Sequence, residues 1–174
     1  MTEHQPYDVL GQRTGYELRR YPAHVVAEVE VSGSFESAGP TAFRPLASYI
    51  TRGGVAMTAP VLQHAVDVVD DSTTAEAYRV AFVMPAGATL DSLPVPQDAR
   101  VSIREVPEEV AAAIQFSGRW TRGVFRRHLS ELRRAVTRDG LQPAGPVRWA
   151  RFDPPWTPWF LRRNEVVLPV QPGV

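Results

Sequence analysis

The sequence predicts an α+β fold made from two copies of a strand–strand–helix–strand–strand unit, and three observations carry that reading. Residues 16–35 (YELRRYPAHVVAEVEVSGSF) are echoed at 101–120 (VSIREVPEEVAAAIQFSGRW) at an offset of 85, so that Arg19 meets Arg104, Pro22 meets Pro107 and Ser32-Gly33 meets Ser117-Gly118. The end of each half repeats too, with Tyr78–Pro85 aligning on Arg162–Pro169 at an offset of 84. Between these ends, each half holds one segment of helical spacing flanked by alternating, β-branched segments.

Taken in order, 16–21 and 24–31 read as strands joined by the turn Tyr21-Pro22-Ala23. Phe43, Leu46, Ala47 and Ile50 recur at helical spacing. Pro40 suits a first helical turn and Pro45 does not, so a bent or late-starting helix is expected, ended by Gly53-Gly54. Strands at about 55–66 and 77–84 follow, linked by the polar turn Asp70-Asp71-Ser72-Thr73-Thr74. A Pro-rich connector over 85–99 leads to strands at 100–105 and 110–117. The second helix has Phe125, Leu129, Leu132 and Val136 on its apolar stripe and Gly140 at its end. Strands near 147–152 and 163–170 close the chain. Eight mostly antiparallel strands would form a twisted or barrel-like sheet system with two helices outside it, as one domain with halves at about 16–85 and 100–170.

Composition narrows the function. The net charge is zero, which gives no global attraction to nucleic acid or anionic membrane. All 19 basic residues are arginine, so lysine chemistry is excluded, and the bias suggests a GC-rich bacterial source. Cysteine is absent, which removes disulfides, thiolate metal sites and cysteine nucleophiles. No apolar run is long enough to span a membrane, and the first residues resemble no signal peptide, so a cytoplasmic protein is expected.

His4, His24, His64 and His128 are scattered, without metal-ligand spacing, and His4 is expected in a mobile terminus. No phosphate loop or nucleophile elbow is present. The unusual segment is 153–165, DPPWTPWFLRRNE. Leaving Trp156, Trp159 and Phe160 in water would forgo on the order of 10 kcal/mol of burial. Either these rings fold back as core, or they form one wall of an apolar pocket beside Arg162 and Arg163, whose forked guanidinium groups suit carboxylates. A flat apolar ligand bearing acid groups would satisfy the second arrangement.

Four motifs then converge. Tyr16-Glu17-Leu18-Arg19-Arg20-Tyr21-Pro22, Phe43-Arg44-Pro45-Leu46 with Tyr49-Ile50, Met57-Thr58-Ala59-Pro60-Val61, and Asp153-Pro154-Pro155-Trp156 with Arg163-Asn164-Glu165-Val166 resemble, in order, the motifs of the SOUL heme-binding proteins. The resemblance implies a distorted antiparallel β-barrel from a duplicated unit, similar to gyrase-inhibitor-like domains. It also implies non-covalent binding of heme or another tetrapyrrole, for transport, buffering or sensing. The implied site takes Phe43, Leu46, Ala47 and Ile50 from the first helix, and Trp156, Trp159, Phe160, Arg162 and Arg163 from the loop. It assigns no iron ligand. A second reading from the same fold is a binder of other amphipathic small molecules, with hydrolysis possible and Glu165 or Glu17 as the candidate carboxylate. A third makes the aromatic loop a protein-docking element.

Overall fold

The computed structural model describes residues 2–67 and 73–172, so Asp70, Asp71 and Ser72 of the expected polar turn lie outside the described residues. In chain order the strands and helices are β1 (Glu3–His4), β2 (Asp8–Arg13), β3 (Tyr16–Tyr21), β4 (His24–Ser32), α1 (Phe35–Gly53), β5 (Thr58–Ala59), β6 (Val61–Ala65), β7 (Ala77–Val83), β8 (Val101–Val106), β9 (Glu109–Phe116), α2 (Arg122–Arg138), β10 (Arg148–Arg151) and β11 (Asn164–Pro169). A 3-10 turn at Trp159–Leu161 precedes β11.

Nine strands form one antiparallel sheet in the order β2-β3-β9-β11-β10-β6-β7-β4-β8, and β1 pairs with β5 in parallel. The order has a two-fold pattern about the central β10–β6 pair. Leu18 opposes Ala112 where β3 meets β9, and Ile103 opposes Ala27 where β8 meets β4. The sheet is not closed into the expected barrel, because β2 and β8 remain its two edges. Both helices share one face of it, and the main core lies between helices and sheet rather than inside a cylinder. Phe35 of α1 and Phe125 of α2 meet at 5.3 Å, and both pack edge-on against Trp149 of β10, at 5.4 and 4.8 Å.

The other face carries smaller clusters, one around Val26, Leu62, Ala81, Val83 and Ala150 and one around Tyr21, Ala111, Ala113 and Val167. The N-terminal segment lies against this second face. Tyr7 sits 5.5 Å from Tyr21, and Gln5 hydrogen-bonds His24 at 3.2 Å. His4, expected in a mobile terminus, instead lies in β1 with its ring 5.5 Å from Phe152. Sequence pattern missed β1 and β2 because their residues are largely exposed and show no apolar alternation.

The first helix starts earlier than expected and runs 19 residues through both prolines. Ser34 caps it by accepting the Ser37 amide at 3.2 Å, and Gly54 closes it in the left-handed conformation at φ 65°. An interior proline costs roughly 3 kcal/mol. Burial of Phe35, Ala38, Ala42, Leu46, Tyr49 and Ile50 on the sheet offsets that cost. The second helix matches its predicted stripe, with Phe125, Leu129, Leu132 and Val136 all buried.

Candidate functional site

Directly opposed residues of neighbouring strands share a face. One such row crosses the helix side of the sheet: Phe116 opposes Asn164, Asn164 opposes Arg151, Arg151 opposes Val61, and Val61 opposes Phe82. Phe43 of α1 stands over one end, with its ring 5.7 Å from Phe82 and half of its surface exposed. Trp120 stands over the other end and donates its indole N–H to Asn164 Oδ1 at 2.7 Å. Asn164 in turn donates to the Gly118 carbonyl at 3.1 Å, which fixes the turn leading into α2.

The loop after β10 is built beside Trp120. Asp153 accepts the Arg163 backbone N–H at 2.6 Å and ties the two ends of the loop together. Arg162 donates from Nε to the Thr157 carbonyl at 3.0 Å and from Nη2 to the Pro155 carbonyl at 2.7 Å, with its guanidinium 4.1 Å from the Trp120 ring centre. Trp159 and Phe160 meet edge-on at 5.5 Å, and Arg119 lies 4.8 Å over the Trp159 ring. Trp156 is 82% exposed, and Trp159, Phe160 and Leu161 are exposed as well. These rings therefore do not fold back as core. They form an exposed apolar surface, of the kind that marks an interaction site.

The expected site residues divide into groups. Phe43 is exposed and Ala47 is half-buried on the same stripe of α1, whereas Leu46 and Ile50 are buried against the sheet and belong to the core. Trp156, Trp159 and Phe160 are presented to solvent. Arg162 is engaged with loop carbonyls and its guanidinium group holds the loop together, whereas the Arg163 guanidinium group is engaged with the Glu165 carboxylate. A small cleft of about 90 Å³ lies elsewhere, where Pro45, Tyr49 and Arg52 face Pro94 and Val95 of the connector.

The residue that sequence reasoning missed is Arg151. It is only 8% exposed, and its guanidinium carbon lies 5.7 Å from each of the Phe35, Trp120 and Phe125 ring centres. It donates from Nη1 to Gln63 Oε1 at 2.9 Å, and its Nε has no partner. Burial holds its pKa down at about 10, against a partial opposing pull from Glu36. A signal did exist in Arg148-Trp149-Ala150-Arg151, where strand alternation puts Arg151 on the face of the buried Trp149.

On the opposite face, Glu165 is fully engaged. It accepts from Arg19 Nη1 at 2.8 Å and Nη2 at 3.0 Å, and from Arg163 Nη2 at 2.9 Å. Burial alone would lower the Arg19 pKa, but the hydrogen bonds and charge of Glu165 raise it, with the Tyr21 hydroxyl contributing. Glu17 accepts from Gln12 and Arg19, which hold its carboxyl below the usual value despite burial. Neither carboxylate reaches the row beneath Trp120.

Comparison with known proteins places this geometry. The C-terminal domain of EcmrR superposes with a TM-score of 0.72 at 13% identity, covering 95% of this chain and 98% of that one. An uncharacterized conserved protein from Listeria innocua superposes at 0.65 with 14% identity, covering 88% and 92%. SAV2435 bound to tetraphenylphosphonium does so at 0.55 with 9% identity, covering 90% and 93%. At these identities the likeness is one of fold. No curated protein matches the chain in sequence. The family model for the SOUL heme-binding protein matches residues 2–169, and the chain belongs to that family.

Proposed function

We propose that this protein binds heme or a related tetrapyrrole non-covalently on the strip between Phe43 and the Trp156–Leu161 loop, as a cytoplasmic carrier, buffer or sensor in a bacterial cell. The observation that carries the reading is the exposed aromatic surface of Trp156, Trp159 and Phe160 on a loop held in place by Asp153, Arg162 and Arg119. A preformed apolar surface avoids the ordering cost of assembling one around the ligand.

The residues fit the ring and the acid groups of such a ligand. Trp159, Phe160 and Phe43 would cover its faces, and Arg119 stands at the rim for a carboxylate. Iron would supply redox or gas-binding chemistry when the ligand is heme. His24 and His64 alternate onto the face away from the helices, and His4 packs there against Phe152. His128 stacks on Phe116 at 3.7 Å, with Nδ1 committed to the Val124 carbonyl. Affinity would therefore come from ring burial and acid groups. Titration with hemin tests the reading: a saturable Soret shift with one ligand per chain supports it, and unsaturable binding overturns it.

A second reading, a binder or hydrolase of other amphipathic molecules, draws on the fold neighbours, one of which is a hydrolase from Listeria innocua. Its candidate carboxylates Glu165 and Glu17 are already paired with arginines. A cationic ligand would have to displace those guanidinium groups. The arginine-lined strip favours an anionic ligand, and zero net charge favours a small molecule over nucleic acid.

A further inference from the structure

The charged side chains buried elsewhere in the described structure have opposite charges beside them. Arg19 and Arg163 share Glu165, Arg148 meets Glu109, and Glu28 meets Arg104. Arg151 departs from this pattern. Its one hydrogen-bond acceptor is the neutral Gln63, and its nearby acid, Glu36, spends Oε1 on the Arg122 backbone N–H at 3.0 Å. Gln63 cannot turn to offer more, since its Nε2 donates to the Phe35 carbonyl at 2.9 Å. A buried cation with no counter-ion in hydrogen-bond contact is costly to fold around.

The surroundings of Arg151 are shaped for it. A Cβ at Gly39 would stand 3.1 Å from Nη1, so the absence of a side chain there lets the guanidinium lie against α1. Its neighbour in the row, Val61, is half-buried rather than sealed, and Trp120 beside it abuts the exposed loop. Aromatic rings attract a cation but leave its N–H groups without acceptors.

We infer that Arg151 is the receptor for an acid group of the ligand, which enters between α1 and Trp120 while the ligand's flat body rests on Trp159 and Phe160. This deepens the tetrapyrrole reading and rests on it for the location of the ligand. It assigns the ligand class more narrowly, as a planar aromatic acid. A neutral analogue of the same shape would leave the guanidinium unpaired and be rejected.

Two ligand pairs test this by fluorescence titration at fixed salt: protoporphyrin IX against its dimethyl ester, and pyrene-1-carboxylate against pyrene-1-methanol. The wild-type protein should prefer the acid at least tenfold in one pair or both. Arg151→Met should remove that preference while raising the thermal midpoint of the free protein, and Arg151→Lys should keep part of the preference. Equal binding of acid and neutral forms by the wild type, or no binding of any of the four, overturns the inference without any variant. A preference that survives Arg151→Met overturns it as well. Binding of pyrene-1-carboxylate through Arg151 with no porphyrin binding would keep the anion site and discard the tetrapyrrole reading. Porphyrin binding indifferent to Arg151→Met would do the reverse.

Discussion

Arg19 of β3 and Glu165 of β11 grip each other through two parallel hydrogen bonds of 2.8 and 3.0 Å across the intervening strand β9. On this face β9 places the small side chains of Ala111 and Ala113 next to Arg19, and they leave room for the bridge. Removing Glu165 takes the two-pronged partner from Arg19 in a dry site and leaves it Glu17 and the Tyr21 hydroxyl. Glu165→Ala should therefore destabilise the protein by about 3–5 kcal/mol in chemical denaturation, while Arg19→Met with Glu165→Leu should recover most of the loss. A loss below about 1 kcal/mol for the single variant would contradict this account of the bridge.

His64 gives the fold an acid-side weakness. Burial pushes its pKa down to about 4 from 6.5, against a partial opposing pull from Glu28. The unfolded chain then binds a proton that the folded chain refuses between those two values, so stability rises with pH across that window and is flat above it. From pH 7.5 to pH 5 the expected loss is about 2 kcal/mol. His64→Gln should flatten the wild-type profile by that amount in paired denaturation curves, and parallel curves would count against the assignment.

Tyr16 joins the start of β3 to the end of α2 by donating to Asp139 Oδ2 at 2.7 Å. Burial, then the bond to Asp139 and its charge, push the tyrosine pKa up to about 12. Tyrosinate absorbance should show a high-pH step that is absent from Tyr16→Phe, and Asp139→Asn should bring that step part of the way back. Tyr16→Phe should cost about 1–2 kcal/mol. An unchanged titration in Asp139→Asn would remove Asp139 as a cause.

Asn164 links the site to the sheet. Its amide is fully buried and holds both Trp120 and the Gly118 carbonyl. Asn164→Ala should cost about 2–3 kcal/mol and, in protein that remains folded, weaken ligand binding by freeing Trp120. Unchanged affinity would show that Trp120 is not a wall of the site.

Much of this structure could be read from the chain. The hairpins at 16–32 and 101–116 show period-two alternation, and α2 shows its stripe from Phe125 to Val136. The open sheet could not be read, because strand order depends on which edges meet rather than on any strand's own pattern. The long reach of α1 through Pro40 and Pro45 was hidden as well, since tertiary burial outweighs a local breaker. Within the site, the exposed rings were legible as an anomaly of composition, but the engagement of Arg162 with the loop and of Arg163 with Glu165 was not. Both read as free cations until the carbonyls of Pro155 and Thr157 and the carboxylate of Glu165 are placed beside them. Arg151 was passed over because a charged residue at a core-facing strand position looks like an outward-facing one.

The donor set at the strip is aromatic and cationic. Hemin and iron-free protoporphyrin IX should accordingly bind within about threefold of each other, and His128→Ala should leave both affinities unchanged. A strong preference for hemin that disappears in His128→Ala would instead assign iron ligation to that residue.

A titration of protoporphyrin IX into wild-type protein and Trp156→Ala/Trp159→Ala asks whether the exposed loop rings are the binding surface. Both rings are solvent-facing, so the double variant should keep its thermal midpoint within a few degrees. One saturable site is expected in the wild type and at least a tenfold weaker one in the folded double variant. Equal affinity in the two proteins would contradict it.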